Sequence, residues 1–136
     1  MIQMSGAVYS DLVVEHFRNP QNVGRMDDAD GIGEYGDPGC GDSLRIYIKV
    51  RADVIVEISF LVIGCAAAIA TSSMTTTLAK GKTIEEALQI TEDDIVKALD
   101  GLPEEKLHCS NLGAAALKDA IYDYLKQDYK KKVKKQ

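Results

Sequence analysis

Apolar positions change their period along the chain, and each change marks an element. Tyr9, Leu12, Val13, His16 and Phe17 recur at helical spacing before Asn19-Pro20 breaks the pattern, which predicts a first helix over about 9–18. His16 falls within that stripe and reads as a core or interface histidine. Residues 19–41 are rich in Asn, Asp, Gly and Pro, so they predict loops with at most a short strand near Ile32 to Tyr35. From Leu44 the alternation is strict. Leu44, Ile46, Ile48 and Val50 take one face, and Arg45, Tyr47, Lys49 and Arg51 the other. A tight turn at Ala52-Asp53 leads into Val54 to Ile63, which alternates and then becomes apolar on both faces, as a strand does on entering a core. The two strands predict an antiparallel hairpin.

Helical patterns fill the rest. Ala66 to Ala79 is almost wholly Ala, Ser and Thr with single Ile, Met and Leu residues, a composition that lets a helix press closely on a sheet, and Gly81 ends it. Thr83-Ile84-Glu85-Glu86 has the form of a capping box. Thr91-Glu92-Asp93-Asp94 opens another short helix that carries Ile95 and Leu99 inward and stops at Gly101 and Pro103. Ser110 or Asn111 is a suitable cap for a final helix with Leu117, Ala120, Ile121, Tyr124 and Leu125 on its buried face.

With 136 residues, 46% of them hydrophobic and 27% charged, one domain is expected over 1–128, followed by a Lys-rich flexible tail at 129–136. The net charge of −5 conceals an acidic body, since five of the sixteen basic residues are lysines within the last seven positions. An acidic body argues against nucleic acid as a partner. No apolar run approaches the roughly 20 residues that span a bilayer, and no basic segment precedes an apolar one at the amino terminus, so no membrane association and a cytoplasmic location are expected. Asp27, Asp28 and Asp30 lack a full calcium-loop pattern and read as solvated carboxylates.

The candidate chemistry lies in the cysteines. There are three, an odd number that suits reduced thiols better than a disulfide framework. Cys40 sits between glycines in Asp37-Pro38-Gly39-Cys40-Gly41-Asp42. Cys65 stands where strand gives way to helix, and Cys109 follows His108 just ahead of the last helix. At a helix start, unpaired N–H groups and the helix dipole favour a thiolate. Cys40, Cys65, Cys109 and His108 make a Cys3His set for zinc or iron, and Asp42 adds a carboxylate that can join or replace a ligand. A closed structural zinc site would show a C-x2-C pair, which is absent. An iron-sulfur cluster normally takes four thiolates, so with three the fourth position falls to His108 or Asp42, and such a mixed set suits release of the cluster. Cysteine hydrolase chemistry is disfavoured, because no oxyanion-hole motif accompanies the neighbouring His108 and Cys109.

Four stretches together resemble the IscU-type iron-sulfur cluster assembly scaffolds and the amino-terminal domain of NifU. They are Tyr9-Ser10 through His16-Phe17-Arg18-Asn19-Pro20 and Asn22-Val23-Gly24; Gly39-Cys40-Gly41-Asp42; Gly64-Cys65 with Ala68-Ile69-Ala70 and Ser72-Ser73; and His108-Cys109-Ser110. The resemblance covers about residues 8 to 126. It implies an α+β fold, a small antiparallel three-stranded sheet with helices packed mainly on one face. It also implies a scaffold or carrier rather than an enzyme. Such a protein takes sulfur from a cysteine desulfurase of the IscS or NifS type, combines it with iron, holds a [2Fe-2S] cluster transiently and passes it to acceptor apo-proteins or cluster carriers. Carried over by position, Cys40, Cys65 and Cys109 bind the cluster and accept sulfur, and His108 is the companion ligand. Asp42 matches an aspartate tied to metal binding and cluster lability. Tyr9 is assigned either to core packing or to dimer contact and sulfide formation. Zinc is expected to occupy the site without a cluster, and a homodimer sharing the cluster is left open.

Two departures change the picture. Where the family has Leu-Pro-Pro-Val-Lys, this chain has Leu102-Pro103-Glu104-Glu105-Lys106, and two carboxylates should weaken docking to an Hsp70-type chaperone. Ala66 replaces the glycine expected after the second cysteine. The alternative is a zinc-dependent sulfurtransferase of the SufU type, which typically has an insertion between the second and third cysteines and often Lys or Arg in place of His108. The short span from Cys65 to Cys109 and the histidine favour the scaffold. A purely structural Cys3His zinc domain stands third.

Overall fold

The computed structural model describes residues 2–4, 7–37 and 41–134. Among them the chain runs β1 (Ile2–Met4), β2 (Ala7–Tyr9), α1 (Asp11–Arg18), β3 (Gly31–Asp37), β4 (Asp42–Arg51), β5 (Val54–Ile63), α2 (Ala66–Ala79), α3 (Ile84–Leu88), α4 (Glu92–Ala98), one 3-10 turn (Glu104–Lys106) and α5 (Cys109–Lys134). Strands β3, β4 and β5 form an antiparallel sheet in that order, and the expected α+β class holds. Strands β1 and β2 form a separate antiparallel pair that the pattern did not predict.

Turn and cap chemistry sets most boundaries. Ala52 and Asp53 both adopt positive φ, 52° and 61°, the two-residue geometry that closes a twisted hairpin. Thr83 and Thr91 each accept from the backbone three residues on, while Glu86 and Asp94 reach back to the cap N–H, so both capping boxes form. The first helix starts later than its stripe suggests. Ser10 Oγ accepts from the Val13 N–H at 3.1 Å, which fixes the start at Asp11 and leaves Tyr9 as the last residue of β2. The inward residues of α1 are Val13 and Val14, while Leu12 is exposed. His16 is half-buried with Nδ1 2.7 Å from Ser73 Oγ, as expected of a packed histidine.

The core lies between the inner face of the sheet and the helices. Leu44, Ile46, Ile48, Val50, Ile55, Ile58 and Phe60 supply the sheet side, and Leu112, Leu117, Ala120 and Ile121 of α5 face them from the other. Tyr47, expected to point outward, is also buried. The end of β5 does not become buried on both faces as expected: Leu61 is exposed and Ile63 is 73% exposed, because they alternate with Phe60 and Val62 and lie on the sheet face opposite the core. Leu125 likewise is exposed, one turn past the buried face of α5. The Lys-rich run that the sequence sets apart continues this helix through Lys134, where Asp128 pairs with Lys132 at 3.0 Å.

Helix α2 carries many hydroxyls into the interior, and each needs a partner. Ser72 donates to the Ala68 carbonyl at 2.7 Å and Thr75 to that of Thr71 at 2.6 Å, back-bonds that satisfy the hydroxyls without breaking the helix. On the other edge, α5 covers β3 at very close range. Asp123 and Asp119 accept from the free edge N–H groups of Ile32 at 2.9 Å and Glu34 at 3.0 Å. This closes the edge to another strand.

Glycine makes that approach possible. A Cβ at Gly33 would stand 2.2 Å from the Ala116 carbonyl oxygen and 2.3 Å from the Ala120 nitrogen, both backbone atoms that cannot step aside. Gly33→Ala should therefore destabilise the protein by about 1–3 kcal/mol, read as a lower urea midpoint. Gly36→Ala, whose Cβ would have nothing nearer than 3.6 Å, should remain within about 0.5 kcal/mol of wild type.

Candidate metal centre

Three elements deliver side chains to one end of the sheet. Asp42, expected in a loop, is the first residue of β4 and is only 6% exposed. Its carboxylate lies against the turn from β5 to α2. A Cβ on Gly64 would meet Asp42 Oδ1 and the Ala68 Cβ, each at 2.8 Å, so only glycine leaves room there. Cys65 is the N-cap of α2, as its position in the sequence suggests. Its backbone is extended, its carbonyl accepts from the Ile69 N–H at 3.0 Å, and its side chain makes no capping bond, which leaves the half-buried thiol free for other chemistry.

Cys109 is the first residue of α5, the helix start that the sequence suggests, and it is fully buried. Ser110 is not the cap. It lies inside the helix, and its hydroxyl donates back to the Leu107 carbonyl at 2.7 Å. Helix α2 holds the start of α5 in place through Thr71 Oγ1, which donates to the Cys109 carbonyl at 3.2 Å.

The donor atoms of Asp42, His108 and Cys109 all lie within 4.8 Å of one another. Cys109 Sγ is 3.9 Å from Asp42 Oδ2, 3.7 Å from His108 Nε2 and 4.0 Å from Cys65 Sγ. Two thiolates on one tetrahedral metal, with bonds of about 2.3 Å, stand about 3.8 Å apart, so this pair needs little movement to share an ion. Carboxylate oxygen, imidazole nitrogen and two sulfurs make a donor set suited to zinc or iron. The set fits a borderline metal rather than a purely soft or hard one. Cys40 lies outside the described residues.

Electrostatics separate the two placed cysteines. Burial, reinforced by the Cys65 sulfur and the Asp42 carboxylate, pushes the Cys109 thiol up to about 12. A helix start therefore does not make Cys109 a thiolate in the metal-free protein, because desolvation outweighs the dipole. Lys106 is a charged neighbour of the site that the sequence hid. Its Nζ stands 3.9 Å from Cys65 Sγ, and the sulfur raises its pKa above the usual lysine value. Nothing but its spacing, three residues before Cys109 and on a single turn, pointed to it. Tyr9 is buried at the same place. Desolvation raises its hydroxyl, with Lys106 opposing and both thiols adding to the rise.

A small α+β domain, with a carboxylate, an imidazole and two thiols gathered at one end of a three-stranded sheet, is the class that these features define. Residues 8–131 match the NifU-like N terminal domain, and the chain belongs to that family, which the four sequence motifs also resemble. It is 59% identical over 123 residues to the iron-sulfur cluster assembly scaffold protein IscU 1 of Archaeoglobus fulgidus, covering 90% of this chain and 80% of that one. The corresponding scaffold protein IscU of Aquifex aeolicus is 50% identical, with 86% and 76% covered. Among solved structures, a candidate scaffold for the SUF system from Fervidobacterium islandicum superimposes with a TM-score of 0.69 at 23% identity, over 83% of this chain and 96% of that one. That likeness speaks for the fold.

The protonated Cys109 sets a pH dependence. Below about pH 8.5 both folded and unfolded chains hold this proton and it contributes no slope. Above that, the unfolded chain gives the proton up while the folded one keeps it until about 12, so stability falls as pH rises through this window. Unfolding of the metal-free protein between about pH 8 and about pH 10 should show a steeper loss in wild type than in Cys109→Ala. Equal slopes would mean that the thiol is not held protonated.

Proposed function

We propose that this chain is a scaffold for iron-sulfur cluster assembly. It accepts sulfur from a cysteine desulfurase, combines it with iron, holds a [2Fe-2S] cluster transiently and passes it to acceptor proteins. The observation that carries this is the gathering of Asp42, His108 and Cys109 within 4.8 Å, with the Cys65 sulfur alongside, in a chain closely related to proteins named as such scaffolds.

Iron and cluster are cargo in this scheme, and the protein's part is to present ligands and let them go. Cys40, Cys65 and Cys109 supply thiolates, with His108 or Asp42 as the fourth donor, and zinc takes the same donors when no cluster is present. Metal binding expels the Cys109 proton, so a cation brings out the ligand that burial suppresses. Of the two placed cysteines, Cys65 is the one an external persulfide reaches, since Cys109 is fully buried. Asp42 contributes a hard oxygen donor, a weaker partner for the cluster iron than a thiolate, which favours release. The role is stoichiometric carriage in the cytoplasm rather than turnover. Glu104 and Glu105 are exposed on the turn before His108, which supports weak docking to an Hsp70-type peptide groove.

Anaerobic incubation with iron, cysteine and a cysteine desulfurase tests this. About two iron and two acid-labile sulfide per chain, or per dimer, with the visible spectrum of a [2Fe-2S] centre, are expected. Cys109→Ser should hold no stable cluster. Asp42→Ala should assemble one and release it more slowly to an acceptor, and equal release rates would remove Asp42 from the lability argument. Bound zinc without labile sulfide, but with persulfide on a cysteine, would instead support a sulfur relay.

A further inference from the structure

We propose that Cys65 and Cys109 act together as a sulfide-releasing thiol pair: in the metal-free chain, the Cys109 thiol cleaves a persulfide carried on Cys65 and expels the outer sulfur as hydrosulfide. The proposal rests on the scaffold reading only for the delivery of sulfur to Cys65. Its basis is positional. Cys65 is half-buried at the cap of α2 and open to a donor, whereas Cys109 is fully buried directly behind it with the two sulfurs 4.0 Å apart. An incoming sulfur therefore stops at Cys65, and the second thiol faces it from the protein side.

The step balances without an outside reductant. A persulfide on Cys65 is Cys65-S-S⁻, and Cys109 is Cys109-SH. Cys109 Sγ bonds to Cys65 Sγ, the bond between Cys65 Sγ and the outer sulfur breaks, and the electron pair of that bond leaves with the outer sulfur. The proton of Cys109 ends on it, giving HS⁻ and a Cys65–Cys109 disulfide. Cys109 is oxidised and the outer sulfur is reduced to sulfide. The neighbours suit each demand. His108 Nε2, 3.7 Å from Cys109 Sγ, can relay the proton, with Asp42 Oδ2 at 3.9 Å on the same sulfur. The Lys106 ammonium, 3.9 Å from Cys65 Sγ, places a positive charge where the anionic sulfur sits and departs. A dithiol reductant returns both thiols, taking up the disulfide by exchange and supplying two electrons and two protons. Only then are both sulfurs free to bind cargo, so each sulfide released consumes one reduced pair.

Metal-free full-length protein, loaded with glutathione persulfide, freed of small thiols by rapid desalting and kept without reductant, tests the step. Wild type should release hydrosulfide while its intact mass changes from the gain of one sulfur to the loss of two hydrogens, and peptide mapping should place the disulfide between Cys65 and Cys109. In Cys109→Ser and Cys109→Ala the persulfide on Cys65 should persist, with sulfide released roughly tenfold more slowly or less. Lys106→Gln should slow release several-fold and Lys106→Arg restore it. A Cys65 persulfide that stays intact in wild type, an undiminished release rate in both Cys109 variants, or a disulfide that maps to Cys40 would each overturn the proposal. Failure of Cys65 to take up sulfur would overturn it as well. Reconstitution with iron and inorganic sulfide bypasses the persulfide, so a cluster formed that way alongside an inert persulfide would sink this step and leave the scaffold reading standing.

Discussion

The close passage of α2 along the start of α5 is the constraint on which the site depends. A Cβ on Gly113 would lie 2.1 Å from Thr75 Oγ1, so the two helices meet there with no room for a side chain. One turn earlier on both helices, Thr71 donates to the Cys109 carbonyl. These two contacts fix the register of α5 against α2, and with it the distance between the sulfurs of Cys65 and Cys109. The Ala, Ser and Thr composition of α2 follows from the same need, since larger residues would hold the helices apart. Hydroxyls at such positions cost little because most, such as those of Ser72 and Thr75, return a hydrogen bond to their own helix, while Ser73 is satisfied by His16 and Gln21. On its other side α5 meets the glycines of β3, so the helix bearing Cys109 is clamped between two surfaces that tolerate almost no added volume.

That clamping places like-signed groups together. A nearly buried carboxylate and two sulfurs occupy one end of the sheet, and Lys106 is the cation whose field bears on Cys65, Cys109 and Asp42 alike. Ionising Cys109 there would set an anion beside Asp42 and Cys65 in a poorly solvated place, so the proton stays. A divalent cation reverses the balance, attracting all the donors at once and making the thiolate affordable only in its presence. Without a metal the site is thus kept neutral at Cys109, and a bound cation would draw out its thiolate.

The sequence carried some of this plainly and some not at all. Strands β4 and β5, the Thr83 capping box, the start of α4 at Thr91 and the bounds of α2 follow from local patterns, because alternation, a turn and a hydroxyl cap act over a few residues. Burial at element ends did not follow. Ile63 looked like core and is exposed because it lies on the sheet face away from the helices that bury Phe60, and which face is covered is a fact that no local window contains. Asp42 looked like loop and proves to be strand, since its pairing partner Asp37 comes from β3. The candidate donor types were legible from the rarity of cysteine and histidine, but the difference between Cys65 and Cys109 was not. Both stand at helix starts, and only the packing of α2 over α5 decides that one is accessible and the other sealed.

Lys106 shows why spacing alone could not complete the centre. In the sequence it closes an acidic stretch, Glu104-Glu105-Lys106, that reads as a docking segment of altered charge. Folded into one 3-10 turn, with the Lys106 N–H donating to the Pro103 carbonyl at 2.8 Å, the same stretch leaves both glutamates exposed and brings the lysine back over Cys65. A turn with three residues per repeat puts residues of opposite charge on opposite sides without any change in composition. The two glutamates therefore face solvent while the ammonium of Lys106 faces the Cys65 sulfur, so one short turn presents its opposite charges on different sides.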